Sequence, residues 1–307
     1  MTGSLRIAAG DMTVDVLAFG AHLIGVRVGD SPNLVAAFDD LADYRDAERN
    51  PHLGAVAGRY ANRIGGACIT LDGITHRLAA NDGRNTLHGG PVGFGRLPWT
   101  VVDHAPDRVC LELVSPDGDQ GFPGELTARV TYSVAGRALR FEATASTTAA
   151  TVVSLTNHAY WNLAGGGSID DHTLSVDADL VVEVDDELIP TGRLADVTGT
   201  AFDLRRPGPI GDLDHCLTRS HGGGVAAELT HPPSGRRLVL HSDQPGLQVY
   251  AGLHLAAPWG RRGAVCLEPE QLPDAPNRPG FASPVLRPGG RYRHIADHHF
   301  PLPDWAP

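Results

Sequence analysis

Apolar and polar residues alternate along many short segments of this 307-residue chain. The alternation covers residues 109–113, 126–132 and 139–143, and it recurs over residues 173–185, 236–242 and 246–253. Because successive side chains of a β-strand point to opposite faces, a period of two predicts strands with one buried face. Helical spacing occurs only over residues 38–48, where it predicts one short acidic helix. The fold class is therefore predicted to be all-β, an antiparallel β-sandwich or barrel with very little helix.

The segments between these strands are typical of turns rather than of domain linkers. The 37 glycines and 23 prolines are spread along the whole chain, and no internal repeat or low-complexity tract interrupts the pattern. The glycine-rich residues 221–224 predict a flexible loop, but this stretch is too short to join two domains. A chain of this length can bury a sizeable core. We therefore expect a single domain over residues 1–307.

Composition excludes several classes of protein. The net charge is −11 and there is no basic block, which argues against nucleic acid or an anionic membrane as a partner. All 25 basic residues are arginines, so the chain cannot use lysine for Schiff-base chemistry or at the phosphates of a P-loop. The N-terminal residues lack the apolar region of a signal peptide, and no segment is long enough to span a membrane. We expect a soluble, cytoplasmic protein.

Potential metal-binding residues do not form a convincing site in the sequence. The four cysteines are far apart and form no CxxC pair, which is typical of reduced thiols: Cys68, Cys110, Cys216 and Cys266. A second group lies near the C-terminus: His294, Asp297, His298 and His299. A strand there would place His294 and His298 on one face and His299 on the other, which disfavours a zinc site. We therefore expect no metal and no cofactor.

Two segments combine polar side chains with small residues. Residues 58–64 contain Arg59, Asn62 and Arg63, and taken alone they predict a strand or turn with two solvated arginines. Residues 85–90 contain His88 followed by two glycines, which would let the backbone approach another group closely. A turn with a surface histidine is the simpler interpretation of the second segment.

A third segment, residues 156–165, is unusually dense in hydrogen-bonding and aromatic side chains. It holds an amide, an imidazole, a phenol and an indole: Asn157, His158, Tyr160 and Trp161. Histidine can give or take a proton near neutral pH, and aromatic rings offer faces for the C–H bonds of a sugar. The alternative is a β-turn with a hydrogen-bonded histidine.

Two carboxylates in residues 266–277 are candidates for a general base. An apolar run ends at Glu268, and Pro269 interrupts the strand pairing. If Glu268 and Glu270 lie close together, one of their pKa values is raised, which suits a base that works near neutrality. An exposed acidic loop is the alternative, and residue chemistry alone does not choose between the two carboxylates.

Taken together, these segments resemble the aldose 1-epimerase (galactose mutarotase) family. The similar motifs follow the family's order along nearly the whole chain: FGAHL at 19–23, residues 38–44, GRYANRI at 58–64, NTLHGG at 85–90, GFPG at 121–124, TNHAYWNLAG at 156–165, ELIPTG at 187–192, DLRRP at 203–207, PGLQVYAG at 245–252, LEPEQLPDAPN at 267–277 and VLRPGGRY at 285–292. Each motif is weak alone, but so many in one order are specific. The resemblance implies a large antiparallel β-sandwich with an open sugar-binding cleft.

The resemblance also implies an activity and the residues that carry it. The activity is interconversion of the α and β anomers of a free aldose by ring opening and reclosure, without a cofactor. Glu268 is similar to the family's general base, and His158 to its general acid. The implied sugar contacts come from Asn62, Arg63, His88, Tyr160, Asp214 and Gln248. In this mechanism Glu268 removes the proton of the C1 hydroxyl while His158 protonates the ring oxygen.

Two positions depart from the family pattern. Glu270 stands where the family commonly has a neutral residue, and Leu253 where it commonly has asparagine. These departures lie near the expected sites of hydroxyl recognition, so they bear on the identity of the substrate more than on the type of reaction. Three alternatives also remain: a sugar-binding protein without catalysis, an epimerase of phosphorylated or otherwise modified sugars, and a glycoside hydrolase or lyase that pairs Glu268 with Asp214 or Glu270. We expect a monosaccharide as the partner and a monomer or homodimer as the assembly, with the preferred aldose left open.

Overall fold

The computed structural model describes residues 3–218 and 224–302, and most of its regular structure is β-strand. The strands of the first half are β1 (Leu5–Ala9), β2 (Met12–Leu17), β3 (His22–Val28), β4 (Val56–Ala57), β5 (Arg63–Ile64), β6 (Cys68–Leu71), β7 (Ile74–Arg77), β8 (Thr86–Leu87), β9 (Thr100–Ala105), β10 (Arg108–Ser115), β11 (Leu126–Ala135), β12 (Ala138–Thr147), β13 (Thr151–Val152) and β14 (Thr156–Asn157). The second half contributes β15 (Tyr160–Trp161), β16 (Thr173–Val176), β17 (Leu180–Val184), β18 (Pro190–Asp196), β19 (Gly208–Pro209), β20 (Asp214–Thr218), β21 (Val225–His231), β22 (Arg236–Ser242), β23 (Gly246–Tyr250), β24 (Val265–Glu270), β25 (Val285–Leu286) and β26 (Tyr292–His299).

Helical structure within the described residues is limited to short 3₁₀ segments: Leu41–Arg45, Gly65–Ala67, Phe94–Arg96, Asp119–Gly121, Pro232–Ser234 and Ala275–Asn277. The all-β prediction is confirmed. None of the helices in residues 3–218 and 224–302 is long and apolar enough to cross a bilayer. The loop predicted at residues 221–224 lies, apart from Gly224, outside the described residues.

Two large antiparallel sheets organise the fold. The nine-stranded sheet has the order β19-β16-β21-β22-β26-β12-β11-β10-β9, and the six-stranded sheet has the order β15-β24-β23-β20-β17-β18. The strands β1, β2 and β3 form a further sheet in sequence order. Apolar residues from the nine-stranded, the six-stranded and this three-stranded sheet belong to one buried core. The sandwich predicted from the sequence is therefore present.

Strand β24 shows how the period of two separates this core from a polar surface. Val265 and Leu267 are buried in the main apolar core. The alternate residues of the strand point to its other face: Cys266, Glu268 and Glu270. One strand thus contributes to stability on one side and presents two carboxyl groups on the other.

The predicted helix over residues 38–48 is wrong, because only Leu41–Arg45 is helical and that segment is 3₁₀. Phe38 and Tyr44 pack edge to face, with ring centroids 5.2 Å apart. The backbone N–H of Phe38 also donates to the Tyr44 hydroxyl at 3.1 Å. Apolar residues that suggested a helical stripe are therefore brought together by a tight turn.

The strand predictions are largely confirmed, with two refinements. Residues 173–185 divide into β16 and β17, and residues 246–253 stay in strand only to Tyr250. All four cysteines are free. His294 and His298 share the buried face of β26, where His294 Nδ1 lies 2.8 Å from the carbonyl oxygen of Leu155. Their donor atoms do not belong to a metal-sized cluster in the part of the chain that the structure describes.

Arg59 is a buried cation that joins the segment after β4 to the loop between β10 and β11. The side chain is 1% exposed, so it is not the solvated arginine of the simplest sequence interpretation. Its Nη1 donates to the carbonyl oxygens of Pro123 and Gly124 at 3.0 and 2.8 Å. Its Nη2 donates to the carbonyl oxygen and the hydroxyl of Ser115. Burial lowers the pKa of Arg59 to about 10, which keeps it charged at neutral pH.

We expect Arg59→Met to destabilise the fold by about 3 kcal/mol or more, because several buried carbonyl groups lose their donor at once. Urea unfolding at neutral pH measures this change in the free energy of unfolding. Arg287→Met is the matched control, since Arg287 forms an exposed ion pair with Asp72 and should leave stability nearly unchanged. Equal stability of the two variants would contradict the anchoring role of Arg59.

Candidate active site

One face of the six-stranded sheet gathers polar residues that are far apart in the sequence. One row of directly opposed residues crosses the strands β15, β24, β23 and β20, in the order Tyr160, Cys266, Tyr250 and Asp214. In the next row on the same face, Glu268 of β24 is opposite Gln248 of β23. Directly opposed residues of neighbouring strands have Cβ atoms about 5 Å apart, so side chains in a row contact one another. The strand pairing therefore builds one continuous polar surface.

His158 reaches this surface from the turn between β14 and β15. Its backbone is fixed on both sides: its N–H donates to Ala55 at 2.8 Å, and its carbonyl accepts from Gly54 at 2.9 Å. The imidazole Nε2 lies 3.6 Å from Glu268 Oε2, and both side chains are buried. This separation is longer than a hydrogen bond, so each group retains the capacity to bond a ligand placed against both.

Neutral groups surround the other side of the His158 ring. Nδ1 lies 3.5 Å from Cys266 Sγ, and the ring stacks on Tyr160 with centroids 4.9 Å apart. Burial lowers the pKa of His158 to about 4. Burial also raises the pKa of the Cys266 thiol and of the Tyr160 phenol well above their usual values. The unliganded site therefore favours an uncharged imidazole.

The carboxyl group of Glu268 is perturbed in the opposite direction. Burial raises its pKa well above 4.5, and the charges of Glu270 and Asp214 raise it further. Its Oε2 has no hydrogen-bond partner among residues 3–218 and 224–302. Burial thus favours the protonated carboxyl and the neutral imidazole, an arrangement in which the pair of Glu268 and His158 holds one proton.

A local turn structure positions Asn62 and His88 at the edge of the site. Both residues have positive φ angles, 65° for Asn62 and 51° for His88. The backbone N–H of Asn62 donates to His88 Nδ1 at 3.2 Å, so the neutral ring carries its proton on Nε2. Gly89 passes so close to Gly58 that a Cβ atom at Gly89 would lie 2.0 Å from the Gly58 carbonyl oxygen. Gly89 thus serves the close approach of two chain segments.

Two further pairs complete the polar lining. Arg63 Nε donates to Asp82 at 2.8 Å, which holds the guanidinium at the rim. Gln248 Nε2 donates to Asp214 Oδ1 at 2.6 Å, which leaves Oδ2 available to a ligand. Both pairs offer hydrogen-bonding groups of a type that recognises hydroxyls.

These groups enclose a pocket of about 190 Å³. All eight residues proposed from the sequence line it: Asn62, Arg63, His88, His158, Tyr160, Asp214, Gln248 and Glu268. Pockets that bind drug-sized ligands are larger, about 300–1,000 Å³, so this one suits a single small molecule. Trp161, the neighbour of Tyr160, instead belongs to the apolar core and is not part of the lining.

Sequence reasoning missed several lining residues, above all His52. The His52 ring lies 4.9 Å from that of His88 and 6.0 Å from that of His158, measured between centroids. Burial lowers the pKa of His52 to about 3, with smaller contributions from His158 and Arg96, so it is neutral. The other missed residues are Pro51, Leu87, Tyr250 and His254. Leu87 and Tyr250 stand in the motifs at 85–90 and 245–252 but were not singled out there. No quoted motif contains Pro51, His52 or His254, which reach the pocket from the turn before β4 and the loop after β23.

One group of residues at the site has donor atoms close enough for a metal ion, within 4.8 Å of one another: His158, Cys266 and Glu268. His158 directs Nδ1 to Cys266 and Nε2 to Glu268, and a single ion could bind only one of the two ring nitrogens. Burial also keeps Cys266 as a thiol, whereas the thiolate is the metal ligand. The arrangement is therefore better suited to moving protons than to holding a cation.

Comparison with protein families and curated proteins gives a consistent result. The family model described as aldose 1-epimerase matches residues 3–297. The galactose mutarotase of Sus scrofa is 39% identical over 94% of this chain and 91% of its own length. The aldose 1-epimerase of Escherichia coli strain K12 is 34% identical over 97% of this chain and 94% of its own.

Solved structures agree with these sequence comparisons. A C. elegans aldose epimerase homologue matches with a TM-score of 0.94 and 32% identity, and the match covers 98% of this chain and 99% of the other. The galactose 1-epimerase of Lactobacillus acidophilus matches with a TM-score of 0.85 and 28% identity, over 96% of this chain and 92% of its own. The likeness therefore extends over the whole sandwich.

Proposed function

Because the chain belongs to the aldose 1-epimerase family, we propose that its pocket binds one free aldose and that Glu268 and His158 open and reclose the sugar ring there. The protein is an isomerase that interconverts the α and β anomers of an aldose. The observation that carries the residue assignment is the approach of His158 Nε2 to Glu268 Oε2, 3.6 Å apart in one buried pocket. We also propose that residues 1–307 act as a single domain.

The reaction needs two proton transfers at oxygens bonded to the same carbon. Ring opening removes the proton of the C1 hydroxyl and protonates the ring oxygen, and rotation about C1–C2 then allows closure on the other face. Glu268 accepts the first proton, and His158 donates the second. Closure reverses both transfers and restores the enzyme. Each positioned group contributes about 10²–10⁴ in rate.

Substrate binding has to move the single proton of this pair. Burial favours protonated Glu268 with neutral His158, whereas ring opening requires ionised Glu268 with protonated His158. The two forms have the same net charge and differ only in which atom holds the proton. Sugar hydroxyls that donate to the carboxylate favour the ionised form, as does the attraction of the two charges at 3.6 Å.

The remaining lining residues fit roles in binding and charge stabilisation. His88 presents an Nε2–H donor, since its Nδ1 accepts from Asn62. This donor and the guanidinium of Arg63 can bond sugar oxygens where negative charge develops. Asp214, with Gln248 beside it, can accept hydrogen bonds from sugar hydroxyls.

The activity is tested by dissolving anomerically pure α-galactose and α-glucose and following optical rotation. We expect the protein to speed the approach to equilibrium well beyond the rate in buffer. The 6-phosphates of the same two sugars test the alternative of a phosphorylated substrate. A phosphate needs cationic groups in the pocket, and the cation Arg63 is already paired with Asp82. Faster anomerisation of the phosphates alone would contradict a free aldose as the substrate.

We expect Asp214→Asn to raise KM about 10- to 100-fold with a smaller effect on kcat, because hydrogen bonds to a charged acceptor are lost in ground and transition state alike. Initial rates over a range of sugar concentrations measure both constants. Asp212→Asn is the matched control, since Asp212 is an exposed carboxylate two residues away, bonded to Arg261. An unchanged KM in the Asp214 variant would remove it from the proposed binding site.

A further inference from the structure

Glu270 is a second buried carboxyl group at the site, and the proposed proton transfers do not use it. It follows Glu268 by two residues and points to the same face of β24. The residue is fully buried. Its Oε1 accepts from Asn62 Nδ2 at 2.8 Å, and its Oε2 has no hydrogen-bond partner within the described ranges. A buried carboxyl group with one oxygen that lacks a hydrogen-bond partner lowers the stability of the fold, so its presence calls for a functional explanation.

The surroundings of Glu270 contain mostly acidic or neutral groups. The titratable groups that interact with it come from each neighbouring element: Glu268 on β24, Asp214 and Cys216 on β20, Tyr60 and Arg63 around β5, and Tyr292 on β26. Arg63 is the one cation of this set, and its Nε is paired with Asp82. These surroundings therefore stabilise one negative charge beside Asn62, whereas a second negative charge nearby is destabilised by repulsion.

The two carboxyl groups are not equivalent, because Asn62 donates a hydrogen bond to Glu270, whereas no residue of 3–218 or 224–302 donates one to Glu268 Oε2. Burial raises the pKa of Glu270 to about 8, with a further rise from the charge of Asp214, while the Asn62 hydrogen bond and the charge of Arg63 oppose the rise. For Glu268, burial and then the charges of Glu270 and Asp214 all raise the pKa. The Asn62 hydrogen bond therefore stabilises a negative charge on Glu270 in preference to one on Glu268.

We propose that Glu270, held by Asn62 on the same buried face of β24, is a tuning residue whose negative charge makes Glu268 a stronger base. The proposal rests on the proposed function, in which Glu268 takes the proton of the C1 hydroxyl. Glu270 itself exchanges no proton with the sugar and acts as a positioning and tuning residue. A base that binds protons more tightly gains driving force for proton abstraction, at the cost of being less ionised at a given pH.

The test is a carbon-13 NMR titration of the protein labelled at glutamate side-chain carboxyls, with the signals assigned from Glu268→Gln and Glu270→Gln. In wild type the Glu270 midpoint should lie below that of Glu268. In Glu270→Gln the Glu268 midpoint should fall by about one pH unit or more, because a like charge is removed while the acceptor for Asn62 is kept. The limb of the pH profile of kcat/KM that follows Glu268 should move by the same amount.

Two variants separate this effect from a structural one. Glu270→Asp keeps the charge and should leave the Glu268 midpoint raised. Glu112→Gln makes the same chemical change on β10, where Glu112 pairs with Arg129, and should shift nothing. If Glu270→Gln does not fold, the order of the two midpoints in wild type, assigned with Glu268→Gln and Glu270→Asp, still decides the matter.

Two results would overturn the proposal: a Glu268 midpoint that stays in place in Glu270→Gln, or a wild-type protein in which Glu268 ionises first. Failure of the underlying function is a different outcome. It would appear as normal turnover in Glu268→Gln, whereas the NMR midpoints are measured without turnover.

Discussion

Replacing Glu268 by Gln is expected to lower kcat/KM for anomerisation by about 10²–10⁴-fold, or about 3–5 kcal/mol of transition-state stabilisation. The amide keeps the size of the side chain but cannot accept the proton of the C1 hydroxyl. Optical rotation of a fresh α-aldose measures the loss. Since sugar contacts from Asp214 and Gln248 remain, KM should change less than kcat.

The same variant gives a check on folding, because a buried carboxyl with a raised pKa makes stability depend on pH. The unfolded chain releases this proton near the normal pKa of glutamic acid, while the folded chain retains it. The free energy of unfolding therefore decreases as the pH rises from the pKa of glutamic acid in the unfolded chain toward the raised pKa of Glu268 in the folded state. At pH 8 we expect the Tm of Glu268→Gln to equal or exceed that of wild type.

Glu142→Gln supplies the matched control for activity, since Glu142 is a carboxylate paired with Arg293 on the nine-stranded sheet. It should retain wild-type kcat/KM. A folded Glu268→Gln protein with near wild-type turnover would mean that another group is the base. Glu270, the alternative that the sequence left open, would then be the first to examine.

The sequence predicted the sandwich because β-strand periodicity is local. In β11 the residues Leu126, Ala128 and Val130 alternate with polar neighbours, and the strand follows that pattern through Ala135. The helix expected over residues 38–48 failed for a related reason. There the apolar spacing reflects a contact between Phe38 and Tyr44 across a turn, which a periodicity argument cannot distinguish from a helical face.

The candidate site was predictable only in part. His88, His158 and Glu268 stand in motifs that can be recognised in the sequence, and they line one pocket. His52 stands in no such motif. Its place in the site depends on ring contacts with His88 and His158, which follow it in the chain by 36 and 106 positions. The raised pKa of a carboxyl group was predictable from the spacing of Glu268 and Glu270, whereas the lowered pKa values of His158 and His52 were not, since burial by distant parts of the chain causes them. Local chemistry suggests candidates, whereas their protonation depends on the packed fold.

His158 and Glu268 should behave as one unit, and this carries the second large prediction. His158→Gln is expected to lower kcat/KM by about 10²–10⁴-fold, since the ring oxygen loses its proton donor. The double variant with Glu268→Gln should lose little more than either single variant, because opening requires both transfers and neither residue completes it alone. Rates of all four proteins, measured on one fresh α-aldose, give this comparison.

The surrounding packing argues for the same coupling. The His158 ring contacts Cys266 and Tyr160, neither of which replaces it as an acid, because burial raises the pKa of both. His88→Gln is the control for general damage to the histidine cluster, and it should lose less activity, since His88 contributes a hydrogen bond but no proton. Losses that multiply in the double variant would instead mean that His158 and Glu268 act in independent steps. The proton held between Nε2 and Oε2 would then not be the one that the reaction moves.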